Sequence, residues 1–401
     1  MIQKILYHIK NGGLKELIAI SYRFLLIHMA PVLMRVFGLF KVRHRIVFSH
    51  FDGKAYGGNP GAICDEILNQ SLPYKVIWIT DKKYKDALPR TVKWVPTYSI
   101  RQFWALATSK VWVDDCRKAS CIRKRNKQYY IQTWHGGGPC LKKVEADAIE
   151  DLPDSYIKDA KNDSLMVDML VSACRWRTNN YRAAFWYDGE ILKCGSPTED
   201  IYARNPNEII DEVYKDLGIG REKKIVLYAP TFRSVHNLKP YEMDLSTVLE
   251  TIQMKFGGEW CFVIRLHPAI MNLSETIHYT DVILNGSLFP RFEDLVIASD
   301  ILITDYSGCM FSAYMLKKKV FIYATDLEKY SSNERGFYFN IEDLPAPVST
   351  TSDGLINCIK GFDLDFYIQE VDSLNNEIGY YSFGKSTKTI VNRIIKVMEE
   401  R

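Results

Sequence analysis

Apolar residues along this chain fall into two series of short runs, each ended by glycine, proline or small polar residues. In the first half, Arg45–Phe51, Lys75–Thr80, Val92–Val95, Val111–Asp114, Gln128–Thr133 and Met169–Ser172 read as strands, with polar or helical stretches between them. In the second half, Ile225–Tyr228, Cys261–Leu266, Ile301–Thr304 and Val320–Tyr323 repeat the pattern. Such alternation predicts parallel sheets with crossover helices. Gly195-Ser196-Pro197 and Asn205-Pro206 mark a connection between the two series. The closing segment, Ser386 to Glu400, has an amphipathic helical period and suits packing on either domain.

Ahead of both series the pattern is different. Ile2, Ile5, Leu6 and Ile9, then Leu14, Leu17 and Ile18, recur at helical spacing. Eight cations (Lys4, Lys10, Lys15, Arg23, Arg35, Lys41, Arg43 and Arg45) stand there against one acid, Glu16. The longest uncharged run, Phe24 to Met34, has eleven residues and contains Pro31, short of the roughly 20 that a membrane span needs. No small-residue cleavage site of a signal peptide follows it. Basic amphipathic helices of this kind predict contact with an anionic membrane surface. The plainer alternative is helices packed on the body with solvated lysines.

At 401 residues the chain exceeds the usual single-core limit of about 250–300, so two domains are expected. The pattern divides it into basic helices at 1–44, an α/β domain at 45–200, a second at 201–385 and a closing helix at 386–401. A net charge of +4 gives no general case for polyanion binding, and nucleic acid is not an expected partner. The nine cysteines are scattered, with no Cys-x-x-Cys pair and no histidine at zinc-site spacing. Reduced thiols, and hence a cytoplasmic compartment, are the expectation, and no metal set is foreseen.

The chemistry concentrates where strands end. Gln132-Thr133-Trp134-His135-Gly136-Gly137-Gly138-Pro139 places an imidazole before backbone that carries no side chains, and Lys142 and Lys143 follow. Such a turn lets an anionic group approach the imidazole and the amide N–H groups. In the second half Arg233, Arg265, His267, Thr304, Asp305 and Ser307 each lie at or just past the carboxyl end of an apolar run. Ligands of open α/β sheets bind at that edge, so a cleft between two facing domains is expected.

In order along the chain, Gln-Thr-Trp-His-Gly with Pro-x-Leu-Lys-Lys, Tyr-Ala-Pro-Thr-Phe-Arg, Arg-x-His-Pro, Thr-Asp-Tyr-Ser, Asp326-Leu327-Glu328-x-Tyr330 and Glu334-Arg335-Gly336-Phe337-Tyr338-Phe339 resemble the CDP-glycerol glycerophosphotransferase family. The resemblance runs from about Arg45 to Arg393. Three positions differ from that family's usual pattern. The glycine turn is one residue longer, Gly308 stands where a second serine is usual, and Thr198 stands where Gly-x-Pro-Arg has its arginine.

The resemblance implies a GT-B-like fold of two Rossmann-like domains. It implies transfer of glycerol phosphate from CDP-glycerol to a hydroxyl of a lipid-linked or polymer acceptor, with CMP released and no cofactor required. It also implies peripheral attachment to the cytoplasmic face of the membrane, with homo-oligomerisation open. On this reading His135 and His267 are the catalytic candidates. Gly136, Gly137, Arg233, Arg265, Thr304, Asp305, Ser307, Glu334 and Arg335 are the candidates for substrate binding. A CDP-ribitol donor, a nucleotide-sugar glycosyltransferase on the same fold and a non-catalytic scaffold remain open alternatives, as do the choices between primase and polymerase and between a teichoic acid and a capsule acceptor.

Overall fold

The computed structural model of the chain describes residues 2–136, 138–233, 241–327 and 336–400, with 2–17, 19, 268, 269 and 272 described by backbone alone. Gly137, Glu334 and Arg335 lie outside the described residues.

Two parallel sheets organise the molecule. The first contains β1 (Arg43–Phe48), β2 (Lys75–Thr80), β3 (Lys93–Pro96), β4 (Ser109–Asp114), β5 (Tyr129–Gln132), β6 (Met169–Ser172) and β7 (Glu190–Lys193), in the order β3-β2-β1-β4-β5-β6-β7. The second contains β8 (Lys223–Tyr228), β9 (Glu259–Ile264), β10 (Ile283–Asn285), β11 (Ile301–Thr304), β12 (Lys319–Tyr323) and β13 (Val348–Ser349), in the order β10-β9-β8-β11-β12-β13. Continuous apolar runs such as Ile46-Val47-Phe48 and Ile225-Val226-Leu227 are buried because helices cover both faces of a parallel sheet. In each sheet the strand order reverses beside its first strand, between β1 and β4 and between β8 and β11. Those reversals open the crevices in which ligands of such sheets sit.

Several elements differ from the sequence pattern. β1 stops at Phe48, because Phe51 and Asp52 take left-handed backbone (φ 48° and 56°) in a tight turn. β7, β10 and β13 were not foreseen. They are short edge strands with no continuous apolar run.

The N-terminal segment is one helix, Ile2–Gly38, and continues through Pro31. Pro31 is exposed, and its ring removes one main-chain hydrogen bond from the helix. Leu26, Ala30 and Met34, spaced four apart, are buried on the first domain, where the helix packs on Ile100–Thr108. Phe24, Leu25, Val32 and Val36 remain exposed. The stretch Ile20–Gly38 is long and apolar enough by composition to cross a membrane, beyond what the eleven-residue uncharged run indicated.

The closing helix, Ser386–Glu399, returns to the first sheet. Ile390, Val391, Ile394, Val397 and Met398 share a core with Ile46, Ile63 and Val111. Its start is fixed by Asp200, which accepts from the N–H groups of Gly384, Ser386 and Thr387 and from the Ser386 hydroxyl. A second tie between the halves is a short antiparallel pairing. The N–H of Lys143 donates to Gly336 O at 2.7 Å, and that of Tyr338 to Leu141 O at 2.8 Å.

Candidate active site

A cavity of about 700 Å³ lies between the carboxyl edges of the two sheets. The first half contributes residues of the turn after β5, together with Arg177 and Glu199. The second half contributes Thr231, Arg265, His267, Phe292, Glu293, Ser307 and Ser312.

His135 is positioned by strain and by stacking. Trp134 before it takes a left-handed backbone (φ 52°), rare for a bulky residue, and its ring stacks on the imidazole at 4.6 Å. Several bonds hold that conformation. The Trp134 N–H donates to Gln132 Oε1, and the Trp134 carbonyl accepts from Asn59 Nδ2. Nδ1 of His135 lies 3.3 Å from the Asp115 main-chain carbonyl, which can only accept, so Nδ1 carries the proton and Nε2 its lone pair. The His135 residue surface is open to the cleft, while its ring sits deep enough that desolvation holds the imidazole below its ordinary value, against the raising effect of Asp115.

Across the cleft, His267 and Arg265 follow β9. Arg265 donates to the carbonyls of Gly286 and Phe289 and has no carboxylate in ion-pair contact among the described residues, so its charge is available to the cavity. Burial lowers the basicity of both His267 and Arg265. Ser307 lines the same wall, and its hydroxyl accepts from the N–H of Cys309 at 3.3 Å.

Three other expected ligand-binding residues stand behind the wall instead. Arg233 is 6% exposed; it grips both carboxylate oxygens of Asp326 at 2.9 Å and Asp305 Oδ2 at 2.6 Å. Asp305 accepts in addition from the N–H groups of Thr231 and Tyr306. Thr304 is fully buried and donates to the Ala229 carbonyl at 2.7 Å. Arg233, Thr304 and Asp305, expected to bind substrate, are thus buried and do not line the cavity. A guanidinium already fixed by two carboxylates locks the loops after β8, β11 and β12 to one another.

Pattern reading overlooked four residues here. Asn59 joins the glycine-rich turn after β1 to the Trp134 carbonyl, to the Ser196 hydroxyl and to the Thr198 N–H. Asp115 holds both His135, through its carbonyl, and His50, through its side chain. Arg177 donates to the carbonyls of His135, Gly136 and Gly138. Glu199 is 2% exposed, and burial pushes its carboxyl up to about 7. Only Glu199 carried a local signal, standing in the motif that lacks its usual arginine.

The family model for CDP-glycerol:poly(glycerophosphate) glycerophosphotransferases matches residues 32–396. The chain belongs to this family. The chain is similar to the teichoic acid poly(glycerol phosphate) polymerase of Bacillus spizizenii, 30% identical over 398 residues, covering 95% of this chain and 100% of that protein. A polymerase of the same description from Staphylococcus epidermidis is 31% identical, over 89% of this chain and 51% of its own length. The chain thus spans all of one such relative and about half of the other. The wall teichoic acid polymerase TagF superposes with a TM-score of 0.79 at 28% identity, covering 99% of this chain and 97% of that one. The fold is GT-B-like, and the protein is a glycerophosphotransferase of teichoic acid synthesis that draws on CDP-glycerol.

Proposed function

We propose that the interdomain cleft transfers glycerol phosphate to a hydroxyl of a lipid-linked or polymer acceptor, with His135 as general base. The observation that carries this reading is the bond from Nδ1 of His135 to the Asp115 carbonyl, which leaves the basic Nε2 for a hydroxyl in the cleft. The acceptor oxygen forms a bond to the β-phosphorus as its proton passes to Nε2. The bond from that phosphorus to the bridging oxygen breaks, and CMP leaves with the electron pair. Arg265 and His267, from the other sheet, face the charge that develops on the phosphoryl oxygens, where positioning and electrostatics dominate. Ser307 adds a hydroxyl on that wall. The family's TagF polymerase has also been solved after soaking with CDPG, which supports a donor of this class.

The exposed apolar stripe of the N-terminal helix, with Arg23 and Arg35 along the same helix, supports peripheral attachment to an anionic membrane surface where a lipid-linked acceptor resides. The decisive experiment incubates the protein with CDP-glycerol or CDP-ribitol and a glycerol-phosphate-primed acceptor and measures CMP. Release with CDP-glycerol that depends on acceptor supports the reading. No release from either donor defeats it.

A further inference from the structure

Arg177, on the helix Arg175–Ala184, is 3% exposed and grips the turn that carries His135. Its Nε donates to Gly138 O at 2.6 Å, Nη1 to Gly136 O at 2.6 Å and Nη2 to His135 O at 3.2 Å. The Tyr181 ring covers the guanidinium at 5.3 Å, and no carboxylate is in ion-pair contact with it among the described residues. A buried, unpaired cation is costly, so three carbonyl dipoles aimed at it replace its water.

The consequence lies on the opposite side of the turn. In a trans peptide the C=O and N–H point in opposite directions. Drawing the His135 carbonyl onto Arg177 therefore turns the Gly136 N–H away from it. Among the described residues neither the Gly136 nor the Gly138 N–H has a protein acceptor. Gly136 reaches this geometry at φ 70°, and a Cβ on Gly138 would come within 2.6 Å of Phe311, so both positions call for glycine.

We propose that Arg177 is a positioning residue that holds the backbone after His135 with the unpartnered Gly136 N–H turned toward an oxygen of the transferring phosphoryl group. The ligand class is a phosphodiester or pyrophosphate oxygen, and Arg177 acts through the turn. This inference rests on the reading of His135 as base. His135 is faced by Asp115, by His50, by the Trp134 ring and by Arg177, whose positive charge opposes protonation of the imidazole. Removing that charge raises the imidazole's basicity and moves the acid limb of the pH–rate profile to higher pH.

The test compares wild type, Arg177→Met, Arg177→Lys and Arg177→Ala in acceptor-dependent CMP release, with CDP-glycerol affinity measured by calorimetry and folding by thermal melting. Arg177→Met is expected to lose about 10²–10³-fold in kcat, the scale of a lost oxyanion donor, with donor affinity changed less than about 3-fold. Its acid limb should move upward in pH, and millimolar guanidinium ion should restore part of the rate of Arg177→Ala. Wild-type kcat and an unmoved acid limb in Arg177→Met would overturn the proposal. So would a rate loss explained by a lowered melting point and unrescued by guanidinium. A His135→Ala control in the same assay separates the two ideas: near-normal rate there removes the base, while guanidinium rescue still reports on the turn.

Discussion

The main-chain carbonyl of Asp115 stands 3.3 Å from Nδ1 of His135, while the carboxylate of the same Asp115 holds Nδ1 of His50 at 2.5 Å. One residue at the end of β4 thus fixes the tautomer of the imidazole at the end of β5 and ties it to the turn after β1. These three strands are adjacent in the first sheet, so the imidazole is set by the most buried part of the domain.

Because burial lowers the basicity of His135, the neutral imidazole persists to lower pH than in a free histidine. Transfer is expected to rise with pH through a midpoint below about 6.5 and to stay level through neutrality. His135→Ala should abolish that acid limb and cost about 10²–10⁴-fold in turnover, with CDP-glycerol still bound. A pH series of CMP release on both proteins checks it. A wild-type midpoint above 7 would remove His135 from the role.

Arg233 and Arg265 should separate by phenotype. Arg233→Met leaves Asp305 and Asp326 without their cation and is expected to cost about 3–5 kcal/mol of stability, because breaking a buried ion pair strands its charges. Arg265→Met breaks no ion pair among the described residues and removes only a through-space attraction to Glu293. It should leave the melting temperature nearly unchanged while weakening CDP-glycerol about 10–100-fold, the scale of a charge-assisted bond of roughly 1.5–3 kcal/mol. Thermal melts paired with calorimetry decide the matter, and a stable Arg233→Met that simply fails to bind donor would reverse the assignment.

Glu199 links stability to pH. Its carboxyl is raised to about 7 by burial, so the folded state favours the protonated form. Stability from this group is fully retained below the unfolded value near 4.5 and is lost as pH rises to about 7. Glu199→Gln should therefore be more stable than wild type at pH 8, on the order of 3 kcal/mol, with the gap closing near pH 4.5. Urea titrations at the two pH values measure it. An equal difference at both would show that ionisation is not the cause.

Phe24, Leu25, Val32 and Val36 are exposed, whereas Leu26, Ala30 and Met34 anchor the helix to the protein. Replacing the first four by serine should release the protein from anionic vesicles without lowering its melting temperature. Wild-type attachment should weaken at high salt, because Arg23 and Arg35 are exposed to screened solvent. Sedimentation with phosphatidylglycerol vesicles reads the effect. Unchanged pelleting of the variant at low salt would place the attachment elsewhere.

The two series of apolar runs determined by themselves the α/β class, the parallel sheets and the strand ends at which His135, Arg265, His267 and Ser307 stand. Burial on both faces writes a continuous apolar run into the sequence, and such runs identified the central strands β1, β2, β4, β8, β9 and β11. The edge strands β7 and β13, bonded on one side only, write almost none. The helical period of 386–400 specified a helix but not its partner. That choice fell to Asp200 capping its start and to the first sheet's apolar face, contacts made across nearly two hundred residues. Tertiary structure alone decided which polar residues face the cleft. Arg233 and Arg265 have the same side chain and both follow a strand of the second sheet, yet Asp305 and Asp326 draw the first inward while no carboxylate among the described residues forms an ion pair with the second. Arg177 left no local signal at all, because its partners are main-chain carbonyls, which every sequence contains and only folding brings within reach of its guanidinium.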